Sequence, residues 1–557
     1  MLQSMFSFNQ PSSWIPKERR GVVYTKPWVV ELLLDLACYS SGANLVDAFA
    51  IEPAAGEGAF LRPMARRLLE SCKRQGRPFA DCVSSLMACE IDEGSAEVAR
   101  VALLDDLLQE GVTPEVAAVL TLNWIKIGDY LFDSPRLPEA DFVVGNPPYI
   151  RLEDIPDDRL ALYREAFPTM RGRADLYVAF FEAALRQLKK GGVCAYICAD
   201  RWMLNQYGAD LRQLVTSGFN VETIIEMHNA EAFDSDVSAY PAISVIRREP
   251  QRQAIVARAT TSLSSLDTKA LAAYFHSQGN GRKLESPSPA LSSAVVDRWF
   301  DGSDPWPCSS PKRLATLRRL EQEFPTLEDG EHTRVGIGVA TGCDAVFITK
   351  DKNLVEPSRL LPLAMASDTL TGAFEWSGHY LVDPWGPKGL VDLAQFPRMD
   401  TYFRKHKDVL GKRHTAKKNP HGWFRTIDRV THSLVSKPKL LIPDIKNVFN
   451  PVLDDGAAYP HHNLYFVCSD EWDLEILGGI LLSVVGQFFI EAYGVRMRGG
   501  YLRFQAQYLR RIRVPHPRDI AKPQADSLIR AFRAKDRALA SKVAMEIYGI
   551  DPQVFEA

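Results

Sequence analysis

Ala50-Ile51-Glu52-Pro53-Ala54-Ala55-Gly56-Glu57-Gly58-Ala59-Phe60-Leu61 joins a short apolar run, starting at Val46, to a stretch from Phe60 to Leu69 with apolar residues at helical spacing. Upstream, Trp28 to Ala37 repeats that helical spacing, so the order is helix, strand, glycine-containing loop, helix. Further apolar runs lie at Val83 to Cys89, Phe142 to Val144, Val193 to Cys198 and Ile243 to Val245, with helical stretches such as Val178 to Leu188 between several of them. Strands alternating with helices predict an α/β fold built on a mainly parallel sheet. Ligands of such sheets bind beyond the carboxyl ends of the strands, so the loops there carry the functional reading.

The first loop places two glycines and small residues ahead of a helix. A backbone without bulky side chains admits a ligand closely, and the helix start offers unpaired N–H groups. No Lys-Ser or Lys-Thr follows the glycines, so the loop does not read as a phosphate cradle. The next strand ends in Ala88-Cys89-Glu90-Ile91-Asp92, an acid where a nucleotide-binding unit accepts ribose hydroxyls. A third acid follows in Gly128-Asp129-Tyr130.

Ala140 to Arg151 then reads Ala-Asp-Phe-Val-Val-Gly-Asn-Pro-Pro-Tyr-Ile-Arg. Pro147 and Pro148 fix two backbone dihedrals and remove two donors, leaving a stiff loop that displays acceptors. The Asn146 side-chain oxygen and the Pro147 carbonyl suit hydrogen bonds from an amino group whose lone pair is otherwise delocalised into a ring. Two such bonds favour tetrahedral nitrogen and free that lone pair for attack, and Tyr149 offers a face on which a base stacks.

Composition sets the frame. The chain has 557 residues, 46% hydrophobic and 24% charged, with a net charge of -3, so nucleic-acid contact has to come from local basic patches. Nine cysteines without a CxxC pair read as reduced thiols of a cytoplasmic protein. No run of about 18 apolar residues predicts a membrane span, and Met1 to Arg20 does not read as a signal peptide. Beyond Arg247 the alternation gives way to Ser, Pro, Gln and Gly. The expected layout is an N-terminal extension over 1–20, a catalytic domain over 21–250, a connecting region over 251–330 and a second domain over 331–557. Asp526 to Tyr548 is expected to form one packing helix. In the second domain, Thr401 to Lys418 holds seven Lys or Arg against one acid. Arg496 to Arg513 holds six Arg and no acid, interleaved with Tyr501, Phe504 and Tyr508, a pattern suited to phosphate contact and groove readout. His461-His462 has no cysteine or acid partner at ligand spacing, so no metal is expected.

With these motifs assembled, the chain resembles the γ class of amino-methyltransferases, the adenine-N6 DNA methyltransferases of restriction-modification systems. The resemblance spans essentially the whole chain. It implies a Rossmann-like, class I S-adenosylmethionine-dependent methyltransferase sheet followed by a mixed α+β target-recognition domain. Val23-Tyr24-Thr25-Lys26-Pro27 is similar to the segment before the cofactor loop, giving Thr25 a contact to the methionine carboxylate. Glu52 to Gly58 is similar to the cofactor loop itself, although Ala55 and Glu57 stand where Cys and Ser are common. The implied cofactor contacts are Thr25, Glu52, Pro53, Ala54, Gly56, Gly58, Glu90, Ile91, Asp129, Tyr130, Asn146 and Phe180, the last from Asp175-Leu176-Tyr177-Val178-Ala179-Phe180. Asn146, Pro147, Pro148 and Tyr149 are the implied catalytic residues. Phe233, in Phe233-Asp234-Ser235-Asp236-Val237-Ser238, joins Tyr149 in stacking the target base. Gly336 to Gly342 with Ala345 to Ile348, and Lys439 to Pro443, resemble segments of recognition domains; Lys405, Lys412, Arg413, Arg496, Arg498 and Arg503 are then candidate DNA contacts. The implied partners are double-stranded DNA and a cognate restriction endonuclease or other defence subunits, with the enzyme acting as a monomer. Two alternatives use the same motifs: a methyltransferase of RNA or protein glutamine, and a catalytically silent DNA-specificity module.

Overall fold

The computed structural model describes residues 23–228, 230–234, 240–259, 268–279, 291–297, 300–307, 311–494 and 501–555. The chain divides into two compact units, Met1–Leu314 and Ala315–Ala557.

The first unit is built on β1 (Ala50–Glu52), β2 (Leu86–Glu90), β3 (Ile125–Ile127), β4 (Ala140–Gly145), β5 (Leu188–Ala199), β6 (Asn220–Glu226), β7 (Pro241–Arg247), β8 (Ala254–Ala259) and β9 (Leu291–Val296). They form one sheet in the order β3-β2-β1-β4-β5-β7-β6-β8-β9. The first five positions are parallel, and β7 runs antiparallel to both its neighbours. The chain leaves β1 toward β2 and β3 and returns on the other side through β4. The carboxyl ends of β1 and β4 therefore flank the topological switch point, where α/β sheets form their ligand crevice.

Both faces of the sheet are covered, which is why its strands read as continuous apolar runs. Along β5, Val193, Ala195 and Ile197 enter one core, which also takes Val29, Leu33, Leu61 and Leu68 from the helices Pro27–Leu36 and Leu61–Arg74. Cys194, Tyr196 and Cys198 enter the opposite core with Phe181 and Leu185 of the helix Tyr177–Gln187. The region 251–330, expected from its composition to be a connection, instead supplies β8, β9 and the helix Thr268–Gly279. β8 pairs parallel to β6, and β9 pairs antiparallel to β8. β9 forms the edge of the sheet, and Ser292 and Ser293 interrupt its apolar period there.

The second unit is mixed α+β. Thr333–Ile337, Leu464–Ser469, Lys439–Pro443 and Val452–Asp454 form one antiparallel sheet in that order. A second sheet joins Ile348–Thr349, Tyr380–Val382, Leu360–Ala364 and Tyr459–Pro460. Lys439 and Asp454 form a fully buried ion pair at 2.8 Å, and three backbone N–H groups of Gly456, Ala457 and Ala458 also donate to Asp454. The single helix expected over Asp526 to Tyr548 is two, Lys522–Ala534 and Arg537–Tyr548, because Lys535 adopts a left-handed conformation at φ 53°. Among the described residues no single helix is long and apolar enough to cross a membrane.

Candidate active site

A cavity of about 660 Å³ opens at the carboxyl ends of β1, β2 and β4. Its floor is the loop after β1. Gly56 and Gly58 there take φ of 55° and 94°, which explains why glycine occupies both positions. The loop is strapped to β2: the Ala55 N–H donates to the Cys89 carbonyl at 2.8 Å, and the Gly56 N–H to Glu90 Oε2 at 2.7 Å. The other Glu90 oxygen accepts from the Asp92 N–H at 2.8 Å. Burial raises the Glu90 carboxyl above the ordinary range, against the opposing pull of these N–H donors.

Glu52, at the end of β1, is 1% exposed, and its Oε2 has no hydrogen-bond partner. Burial, reinforced by the charge of Glu90, lifts its carboxyl well above the usual value; backbone N–H groups of Leu61 and Phe60 act in the opposite direction. Burial raises the pKa of the Tyr24 phenol, and the Glu57 acid adds to that rise.

On the far wall, Asp129 Oδ1 accepts from the Leu131 N–H at 3.1 Å. Its Oδ2 accepts from the Tyr163 hydroxyl at 2.5 Å and from Arg159 at 3.4 Å. Burial raises the Asp129 carboxyl, and the Tyr163 hydrogen bond leads the opposing contributions. Tyr130 stacks on Phe180 with centroids 5.8 Å apart, and Tyr163 stacks on Phe132 at 4.9 Å. Ile91, Tyr130, Tyr163 and Phe180 line the cavity together with Pro53 and Ala54. Tyr163 and Arg159 escape the sequence reading, because the helix Asp157–Ala166 has little amphipathic pattern and Asp129 lies on a distant segment.

The Asn146-Pro147-Pro148-Tyr149 loop follows β4. The Asn146 amide nitrogen donates to the Val23 carbonyl at 3.2 Å and to Thr25 Oγ1 at 3.1 Å. A carbonyl oxygen only accepts, so the side-chain atom facing Val23 must be the NH2. Asn146 Oδ1 is thereby turned away, and it is buried with no partner. Asn146, Pro147 and Pro148 line the cavity. Thr25 pairs with Phe233 in an isolated antiparallel bridge, flanked by Lys26 N–H to Ala232 O at 2.9 Å and Asp234 N–H to Tyr24 O at 3.1 Å. Tyr149 and Phe233 meet edge to face, centroids 6.3 Å apart, and the Tyr149 hydroxyl is buried without a partner. Ser235 to Ser238 lie outside the described residues.

In the second unit, Lys405 and Lys412 are exposed. Arg413 is occupied internally: it donates to the carbonyls of Leu410, Thr341, Trp423 and Arg425 and lies over the Phe347 ring. Arg503 pairs with Asp444. Arg496 and Arg498 lie outside the described residues. The fold also brings His461 an acid that the sequence spacing does not show, Asp344, whose Oδ2 is 3.3 Å from His461 Nε2; His462 Nδ1 is 2.9 Å from the same nitrogen.

The strand order, the cavity at the switch point and the Asn-Pro-Pro-Tyr loop beside it define a class I S-adenosylmethionine-dependent methyltransferase fold. Residues 85–233 match the family described as Eco57I restriction-modification methylase. The chain is 41% identical to the type II methyltransferase M.PaeR7I of Pseudomonas aeruginosa over 539 residues, covering 96% of this chain and 92% of that protein. It is equally 41% identical to the type II methyltransferase M.XhoI of Xanthomonas vasicola over 543 residues, 96% of this chain and 98% of the relative. In fold it is similar to the type IIL restriction-modification enzyme MmeI in complex with DNA, with a TM-score of 0.57 at 14% identity, covering 94% of this chain and 74% of that one. The chain belongs to the type II DNA methyltransferases of restriction-modification systems.

Proposed function

We propose that this methyltransferase uses S-adenosylmethionine to methylate the exocyclic N6 amine of adenine in double-stranded DNA. The observation that carries the reading is the Asn146 side chain, fixed through its nitrogen to Val23 and Thr25 while its oxygen stays buried and unpartnered at the cavity. An unsatisfied buried acceptor is unfavourable, by about 1–3 kcal/mol, unless a ligand donor completes it.

The cavity suits the cofactor. Glu90 stands where ribose hydroxyls need an acceptor, Phe180 and Ile91 offer apolar faces to an adenine ring, Asp129 suits its amine, and the orphan Glu52 oxygen suits a cationic amino group. The bound cofactor supplies a methyl group made electrophilic by sulfonium sulfur. The chain's own residues do the rest. Asn146 Oδ1 and the Pro147 carbonyl accept the two N–H bonds of the target amine, drawing its lone pair out of conjugation. Tyr149 and Phe233 hold the extruded base by stacking. The gain comes from orientation and fixed dipoles, since neither acceptor titrates in the working range. The second unit carries target recognition, with Lys405 and Lys412 as phosphate contacts, and the protein works as a monomer beside a restriction endonuclease of the same specificity.

Nucleoside mass spectrometry of DNA from cells expressing the wild type and Asn146→Ala, with modified positions mapped by sequencing, tests this. N6-methyladenine at one sequence motif, absent in the variant, is the expected result. Unmodified DNA in both strains overturns the reading and favours an RNA or protein substrate.

A further inference from the structure

The stretch carrying Phe233 leaves the sheet after β6 and rejoins it at β7, and His228 stands at its neck. Its Nε2 lies 2.7 Å from Asp200 Oδ2, just past β5, and its Nδ1 lies 3.1 Å from Glu226 Oε1, the last residue of β6. Its ring packs edge to face on Tyr240, just before β7, at 4.8 Å. Arg201 covers Tyr240 at 5.6 Å, and the backbone joins the same points, Asp200 N–H to Tyr240 O and Met227 N–H to Pro241 O, both at 2.9 Å. One side chain thus ties three strand ends, on both sides of the segment that bears Phe233.

We propose that His228 is a positioning residue for base extrusion: it clasps the neck of the Phe233 segment and holds that ring for the target base. The inference rests on the function proposed above. Both ring nitrogens face carboxylate oxygens, which only accept, so the ring fits as a doubly protonated imidazolium. A neutral ring would turn one lone pair onto a carboxylate. Burial alone would disfavour that charge, but the hydrogen bonds to Asp200 and Glu226 reverse the effect and bring His228 to about 9. The other charges facing the cluster are Arg258, paired with Glu226 at 2.9 Å, and Arg201, which acts on Asp200. The Asp200 charge also acts on the Tyr149 phenol, after burial and Cys198, and Tyr149 in turn meets Phe233 edge to face.

The test uses the full chain and a duplex with 2-aminopurine in place of the adenine mapped as methylated. Extrusion unstacks 2-aminopurine and raises its fluorescence. We expect the wild type to give that rise at neutral pH and to lose it as pH passes about 9, while His228→Gln gives about tenfold less extruded base at every pH. S-adenosylmethionine affinity, read on the same samples, is expected to stay unchanged, which separates a clasp from general loss of structure. Equal extrusion by His228→Gln overturns the inference, as does a wild-type signal indifferent to pH between 7 and 10 if the variant does not fold. If the wild type neither methylates nor extrudes an adenine, it is the underlying function that fails.

Discussion

The Asn146 amide nitrogen lies 3.1 Å from Thr25 Oγ1, so a residue ahead of the first strand orients the side chain that follows the fourth. Asn146→Asp sets a carboxylate against the Val23 carbonyl. It is expected to lower kcat by about 100-fold or more, the scale of a lost preorganised dipole. Thr25→Val removes one of two acceptors and is expected to cost about 1 kcal/mol, roughly fivefold in kcat. Steady-state kinetics on the mapped duplex check both, and equal losses in the two variants would contradict the orienting role.

Tyr163 holds Asp129 from a helix that follows the Asn146-Pro147-Pro148-Tyr149 loop. Removing a hydrogen bond to a charged group costs about 1.5–3 kcal/mol. Tyr163→Phe is expected to raise KM for S-adenosylmethionine about tenfold or more while leaving kcat nearly unchanged. A fall in kcat at unaltered KM would place Tyr163 in the transfer step instead.

Glu52 is an acid whose pKa burial lifts in the folded chain. Between the unfolded and folded pKa the folded state binds more protons, so stability falls as pH rises through that window. Glu52→Gln is therefore expected to raise the Tm of the unliganded protein at neutral pH and to flatten its decline from pH 5 upward. The same variant is expected to bind S-adenosylmethionine more weakly. Calorimetric melts across pH check the first part, and a lower Tm at neutral pH would contradict it.

Lys405 and Lys412 are exposed, whereas Arg413 donates to four carbonyls of its own unit. Lys405→Ala and Lys412→Ala are expected to keep Tm and each to reduce the slope of log affinity for DNA against log salt by about 1. Arg413→Ala is expected to lower Tm by stranding those carbonyls. Binding isotherms at several salt concentrations, with melts alongside, distinguish the two behaviours.

The parts of this site that are local in sequence were readable without coordinates. Glu52, Glu90, Asp129 and Asn146 each follow an apolar run, and strand ends at a switch point converge whatever the loop lengths. What the residues touch was not readable. Tyr163 meets Asp129 across 34 residues, His228 meets Asp200 across 28, and Asp344 meets His461 only through a separate fold. No periodicity encodes those pairings. Arg413 shows the converse: a basic run marks a charged segment but not which of its members turns inward. β9 was hidden because polar residues interrupt an edge strand, and the break at Lys535 because only a few residues of a continuous helical pattern need depart from it.

Methyl transfer itself can be followed with a labelled cofactor. Purified protein is incubated with S-adenosylmethionine bearing a deuterated methyl group and duplex DNA containing the mapped motif, and the nucleosides are separated by mass. Deuterated N6-methyladenine is expected as the labelled product, with none formed by Asn146→Ala. Label on cytosine, or label on adenine undiminished in that variant, would contradict it.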